Sequence, residues 1–312
     1  MTLLYTDPLF LKHDTGRHPE RADRLRSITA RLHRAGLVER CTPGTYPPLN
    51  EDVVRQVHAP TVVERVREAA RRGGDWLDGD TFVSPDSFDV ALAAAGACTA
   101  AVGAVLSGAD RTALCLVRPP GHHATPAHSM GFCLFNNIAL AARHAKAAHG
   151  LTRILVVDWD VHHGNGTQDV FYDDPAVMFF SIHRFGNGFY PGTGAADETG
   201  QGRGLGYTRN EPVRYGTPRD AYHGRFRNAL HELADRIKPE LVLLSAGFDA
   251  HRGDPIGSLG LETEDFAVLT REVREVAKVH AGGRLVSCLE GGYDLDALAE
   301  SVEIHLTELL AD

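Results

Sequence analysis

The 312-residue chain has no Cys-x-x-Cys pair; its five cysteines, Cys41, Cys98, Cys115, Cys133 and Cys288, are scattered. An odd number of isolated thiols fits reduced cysteines in a cytoplasmic setting better than a disulfide framework. Positive charge is also in deficit, with a formal net charge of −9. Direct nucleic-acid binding is therefore not expected, and a cationic partner is mildly favoured. The N-terminus, MTLLYTDPLF, lacks a basic segment followed by an apolar one, so no signal peptide is expected. A confident membrane span is missing too. Val90 to Ala109 carries no charge, but it is mostly Ala, Gly, Ser and Thr and reads as a buried helix. No low-complexity linker and no internal repeat divides the chain, so residues 1–312 are read as one domain. What is present is a hydrophobic share of 43%, enough for a sizeable core.

Short apolar runs at Ala113 to Val117, Ile154 to Val157, Val177 to Ile182, Leu241 to Ser245 and Leu285 to Leu289 read as buried strands. Helical patterns alternate with them. Thr217 is placed as an N-cap before Pro218, and Tyr222, Phe226, Leu230, Leu233 and Ile237 then recur at helical spacing until Pro239. A second helix starts near Thr263, carries Phe266, Leu269, Val273 and Val276, and stops at Gly282 and Gly283. This alternation predicts an α/β fold with an open, mainly parallel sheet flanked by helices. Chemistry in such sheets gathers at the carboxyl ends of the strands.

The unusual residues fall there. Asp158, Asp160 and His162 follow one strand at alternate positions, so in extended backbone they share a face. Two carboxylates and an imidazole crowded together call for a cation. A lone Asp-x-His would read as a capped surface loop, but a second buried strand runs straight into Asp249. Asp160, His162 and Asp249 give three ligands with an open position, as in a catalytic zinc site. The oxygen-rich set also suits Fe2+ or Co2+. A third strand leads through a Pro-Pro-Gly turn into His122 and His123, candidate acid/base groups beside a metal. A fourth ends in Glu290, two glycines and Tyr293, whose phenol can meet a substrate carbonyl.

These residues lie in stretches that resemble the histone deacetylase superfamily, closest to its class II branch and to bacterial deacetylase-like and acetylpolyamine amidohydrolase relatives. The stretches are RPPGHHA (118–124), GFCLFNN (131–137), VDWDVHHGNGTQ (157–168), FSIHRFGNGFYPGTG (180–194), SAGFDAHRGDP (245–255) and LEGGYD (289–294), with HPERADRL (18–25) nearer the N-terminus. The resemblance implies a single-domain arginase-like fold and one zinc held by Asp160, His162 and Asp249. It implies that His123 takes a proton from water, that Asp158 orients His122, and that Tyr293 stabilises the oxyanion. Asn165 stands where many class I relatives carry aspartate, which leaves His123 less basic. Gly131, Phe132 and Tyr190 match the tunnel for an acetylated aliphatic arm, and the hydroxyl of Tyr190 departs from the phenylalanine of many relatives. A structural K+ through Asp158, Asp160, His162 and Ser181 is implied as well. Asp86 is aligned with a rim residue that holds the substrate backbone.

Two rivals are weaker. An arginase-type two-metal hydrolase needs further aspartates where Gly164 and His251 stand, and a catalytically dead acetyl-lysine reader would lack Tyr293, His123 or a ligand. The expected substrate is an acetylated lysine in a peptide or protein, because Ile256 occupies the place where eukaryotic polyamine-specific relatives carry glutamate. A small acetylated amine, with an oligomer narrowing the entrance, is the alternative. The remaining histidines, such as His58, His144, His231 and His305, are read as ordinary surface or helix residues.

Overall fold

Runs of Val, Leu and Ile too short for helices pair side by side in the computed structural model, which describes residues 1–311. The strands are β1 (Thr2–Tyr5), β2 (Cys41–Pro43), β3 (Asp75–Trp76), β4 (Phe82–Val83), β5 (Thr112–Cys115), β6 (Ile154–Asp158), β7 (Val177–Arg184), β8 (Thr208–Val213), β9 (Leu241–Ala246) and β10 (Leu285–Leu289). The helices are α1 (Asp23–Arg34), α2 (Glu51–Val54), α3 (Pro60–Arg71), α4 (Ser87–Leu106), α5 (Asn137–His149), α6 (Asn165–Phe171), α7 (Arg219–Ile237), α8 (Thr263–His280) and α9 (Leu295–Leu309). Among the described residues, eight strands form one sheet in the order β2-β1-β5-β10-β9-β6-β7-β8. Every neighbouring pair in it is parallel. β3 and β4 make a separate antiparallel hairpin.

Parallel strands put their carboxyl ends on one edge, and helices cover the faces. The central strands β6, β9 and β10 are buried along their whole length, as their unbroken apolar runs require. α4 is the charge-poor helix read from sequence. It is long and apolar enough to cross a membrane, but 67% of its most apolar stretch is buried against the rest of the fold. Its Ala and Gly side lets α5 pack closely, and the same helix covers β5 and β10.

Local details differ from expectation in a few places. Thr217 does not cap α7. Pro218 takes the N-cap position, and the Thr217 hydroxyl donates back to the Arg214 carbonyl at 2.7 Å instead. The helix still buries Tyr222, Phe226, Leu230, Leu233 and Ile237, and it ends at Lys238 in a left-handed conformation just before Pro239. α8 begins with a reciprocal cap between Glu262 and Asp265. His58 and His305 are not ordinary histidines, since both are buried. His305 bridges Thr270 of α8 at 2.7 Å and Ser287 of β10 at 3.0 Å. His58 Nδ1 donates to the Thr125 carbonyl at 2.8 Å, while its Nε2 accepts the Asn136 N–H at 2.9 Å.

Candidate active site

The carboxyl ends of β5, β6, β9 and β10 carry the groups picked out from sequence, and the fold brings them together. β6 ends at Asp158, and the chain then bends so that Asp160 and His162 turn back over the sheet edge. His162 Nδ1 lies 3.1 Å from Asp160 Oδ1 and 3.0 Å from Asp249 Oδ2. One donor atom from each of the three residues falls within 4.8 Å of the other two, and all three side chains are buried.

The backbone prepares this cluster. Asp160 Oδ2 accepts the Gly291 N–H at 2.9 Å, and Asp249 Oδ1 accepts the Val161 N–H at 2.9 Å. Glycines make the room: a Cβ on Gly247 would lie 2.0 Å from Asp160 Oδ2, and one on Gly291 would lie 2.3 Å from Asp249 Oδ2. Burial and then the Asp160 charge lift the Asp249 carboxyl to about 7. Burial opposes ionisation of Asp160, but His122 and His162 outweigh it and hold that carboxyl well below the usual range. Two carboxylates and an imidazole in a cradle shaped by missing side chains fit one divalent cation with an open position. The site therefore accepts a zinc-like ion on its own geometry.

The tandem histidines flank this centre, with rings 4.0 Å apart, and their environments push them in opposite directions. His122 Nδ1 donates to Asp158 Oδ2 at 3.0 Å, and its Nε2 lies 3.9 Å from Asp160 Oδ1. Burial works against its charge, but Asp158 and Asp160 overcome that and lift it to about 10. His123 Nδ1 faces Asn165 Oδ1 at 2.7 Å, while the Asn165 amide nitrogen points to Met130 Sδ. That orientation makes His123 Nδ1 the donor and leaves Nε2 with its lone pair. Burial, then the neighbouring His122 and His162, hold His123 well below the usual imidazole range. The surroundings thus favour the charged form of His122 and the neutral form of His123.

Tyr293 lies by the same centre, where the Asp249 and Asp160 charges act on its phenol. Its backbone N–H donates to Asp254 Oδ2 at 2.7 Å, and Asp254 Oδ1 accepts the Ile256 and Gly257 N–H groups at 2.9 Å. Arg24, fully buried, donates from Nε to the Gly292 carbonyl at 2.6 Å and from Nη2 to the Glu290 carbonyl at 2.5 Å. Glu20 and Arg118 tie Arg24 into a buried ion-pair network. Burial and then the Asp249 charge keep the Tyr293 phenol well above its ordinary value, so it stays an O–H donor. Glu290 Oε2 accepts the Gly121 and His122 N–H groups at 2.7 and 3.2 Å, which fixes the turn carrying the histidines.

Phe132 and Tyr190 pack against these groups. Phe132 meets the Tyr293 ring edge-on at 5.6 Å, and Tyr190 meets His123 edge-on at 5.1 Å. Phe132 holds a left-handed φ of +69°, a conformation unusual for a non-glycine residue. The paired Met130 and Cys133 backbone bonds and a bond from its own N–H to Thr81 Oγ1 at 3.1 Å maintain it. Gly131 also has φ of +57°, and a Cβ there would strike the His123 ring at 2.5 Å. Asp86, read from sequence as a rim residue, is exposed and lines an outer groove with Lys12, Asp14, Arg21 and Arg26. Asp80 and Asp78, on the hairpin connection, are the carboxylates whose charges reach Tyr190. Ser181 pairs with Asp158 across β6 and β7, and its hydroxyl contacts His183 Nδ1 at 2.9 Å.

Comparison with known proteins matches residues 18–309 to the histone deacetylase domain model. The chain belongs to the histone deacetylase family. It is 46% identical over 303 residues to a human protein named polyamine deacetylase HDAC10, covering 94% of this chain but only 45% of that protein. It is 40% identical over 276 residues to a histone deacetylase-like amidohydrolase of Pseudomonas aeruginosa, covering 88% of this chain and 72% of that one. Among solved structures, the HD domain of HDA15 superposes with a TM-score of 0.94 at 38% identity, over 99% of this chain and 88% of that one. The arginase-like deacetylase fold inferred from sequence is therefore the fold of this domain.

Sequence reading did not find the residues behind this centre: Asp254, Glu20, Arg24 and Arg118. Burial is their common signal, and only Glu20 and Arg24 are near neighbours along the chain. Asp254 was visible within SAGFDAHRGDP, but nothing in the string shows that it holds Tyr293.

Proposed function

We propose that this chain is a metal-dependent deacetylase that hydrolyses the amide of acetylated lysine side chains to amine and acetate. The observation that carries it is the opposed pair of histidines beside the Asp160, His162 and Asp249 cradle, with the Tyr293 phenol close enough to feel the Asp249 and Asp160 charges. Such a pair supplies a base and a held positive charge at one reacting centre.

Asp160, His162 and Asp249 would hold zinc, or Fe2+ or Co2+, and the ion when bound polarises a carbonyl and acidifies water. His123 Nε2 takes the proton from water and returns it to the leaving amine. His122, kept charged by Asp158, stabilises the negative charge that develops. The Tyr293 hydroxyl donates to the carbonyl oxygen as it becomes an oxyanion. Phe132 and Tyr190 exclude water from the aliphatic arm. A K+ beneath the centre, through Asp158, Asp160, His162 and Ser181, belongs to the same proposal. The five free thiols, all buried, support a reducing, cytoplasmic compartment.

For substrate, the half-buried Ile256 offers no charge to a distant ammonium. That favours a lysine presented by a peptide. The charges of Asp80 and Asp78 near Tyr190, with the 46% identity to a polyamine deacetylase, favour a second reading, an acetylated polyamine. Acetate release from an acetyl-lysine peptide panel, acetylputrescine and acetylspermidine, with and without chelator, separates the two. Chelator-sensitive turnover of peptides well above polyamines supports the first reading. The reverse order transfers it to polyamines, and no turnover by protein holding one metal ion rejects both.

A further inference from the structure

His162 is the one imidazole in the Asp160, His162 and Asp249 cradle, and its ring is oriented in an unusual way. Both of its side-chain contacts with carboxylates use Nδ1. A histidine that binds metal is ordinarily fixed by a hydrogen bond from its other nitrogen. Here the plane is set by a ring instead: Phe189 lies parallel to His162, at 5.0 Å and an interplanar angle of 3°.

Phe189 is itself held by Arg184, the last residue of β7. The guanidinium carbon lies 4.3 Å from the Phe189 centroid and 4.9 Å from that of the exposed Tyr215. Arg184 Nη1 donates to the Gly257 carbonyl at 2.8 Å, and its backbone N–H donates to the Val161 carbonyl at 2.8 Å. Its hydrogen bonds thus go to carbonyls rather than to a carboxylate.

The Gly257 turn rests against the other strand's ligand. Ser258 donates its N–H to the Asp249 carbonyl at 2.7 Å while holding a left-handed φ of +56°. A Cβ on Gly257 would stand 2.4 Å from that same carbonyl and 2.4 Å from Val161 Cγ1. A serine in this conformation persists only where its surroundings enforce it, and the Arg184 bond is one such constraint. One planar group therefore braces the ring on His162 and the turn on Asp249. An ammonium on a flexible stem cannot do both.

We propose that Arg184 is a positioning residue for the metal cradle, acting on His162 through Phe189 and on Asp249 through the Gly257 turn. This rests on the reading of Asp160, His162 and Asp249 as a metal site.

The test compares wild type with Arg184→Lys, Arg184→Met and a control, Arg219→Met, which breaks an ion pair with Asp265. Competition with a chromophoric chelator gives the zinc Kd. The visible spectrum of cobalt-loaded protein reports the ligand arrangement, and melts of metal-free protein report stability. Both Arg184 variants should bind zinc about tenfold more weakly and show an altered cobalt spectrum. Arg219→Met should lower the melting temperature and leave Kd and spectrum as in wild type. Phe189→Leu, which keeps the bond from Arg184 to Gly257, should also weaken zinc. Arg184→Met added to it should cost less than it does alone. Wild-type Kd and spectrum in the Arg184 and Phe189 variants overturn the proposal, as does a Kd that merely follows melting temperature across the whole set. Zinc that fails to bind wild type, or binds as tightly after Asp249→Asn, instead brings down the metal reading of the cradle.

Discussion

His123 Nδ1 donates to the Oδ1 of Asn165 at 2.7 Å, so the proposed base rests on a neutral partner. Its neighbour His122 rests on a carboxylate at 3.0 Å. The asymmetry sets which ring is charged. A base must be neutral to act, so activity falls on the acid side of its pKa. Asn165→Asp adds an anion that favours protonated His123. The acid limb of the kcat/KM profile should then move to higher pH, and activity at pH 6 should drop relative to pH 8. A limb that stays in place would assign the base to another group.

Tyr293→Phe removes one donor to the developing oxyanion and little else, because Asp254 and Arg24 hold the backbone of the turn rather than the hydroxyl. The expected loss is about 10²–10³-fold in kcat with a small change in KM. Steady-state kinetics on the preferred substrate checks it. Equal losses in kcat and substrate affinity would indicate a binding role instead.

Metal binding should stabilise the fold, because the cradle exists only when β6, β9 and β10 are assembled. Zinc at a hundredfold above its Kd should add about 2.7 kcal/mol to the free energy of unfolding. Melts of chelated and reloaded protein read this as a shift to higher temperature. Asp249→Asn should lose most of the shift, while a surface change such as Glu275→Gln should keep it.

Buried histidines should make the protein labile to acid. Burial lowers His58 to about 4 and His305 to about 3, from an ordinary value of 6.5. Above pH 6.5 both are neutral whether folded or unfolded, and their contribution is constant. Below it the unfolded chain takes up protons that the folded chain refuses, so stability falls with pH down towards those values. Each should remove up to about 1.4 kcal/mol per pH unit within that window. Urea midpoints from pH 7 to 5 measure the slope, and His305→Gln should make it shallower. An unchanged slope would remove His305 from the account.

Local signals carried much of this structure. Five apolar runs marked β5, β6, β7, β9 and β10, and the residues just beyond four of them built the site. Strand ends are legible because burial demands apolar residues up to the point where chemistry demands polar ones. β1, β2 and β8 escaped notice for a related reason. β2 is short and β8 reads Thr-Arg-Asn-Glu-Pro-Val at a sheet edge, so neither shows an unbroken apolar run, while β1 offers only Leu3, Leu4 and Tyr5 close to the N-terminus. The supports of the site were hidden differently. Glu20 pairs with Arg118 across 98 positions, and Tyr293 leans on Asp254 across 39. No periodicity records such partnerships. His58 and His305 were misjudged because a histidine in a helix or loop looks the same whether it bridges two elements or faces water.

The order of strands in the sheet bears on how the protein is made. β9 and β10 occupy its middle, between β5 and β6, yet they are the last strands along the chain. Until Ala246 has left the ribosome β6 has no neighbour on that side, and until Leu289 has left it β5 has none. Asp249 and Tyr293 arrive on those same late segments. The nascent chain must therefore wait as two separate half-sheets, and its catalytic centre comes into being only when the centre of the sheet is filled.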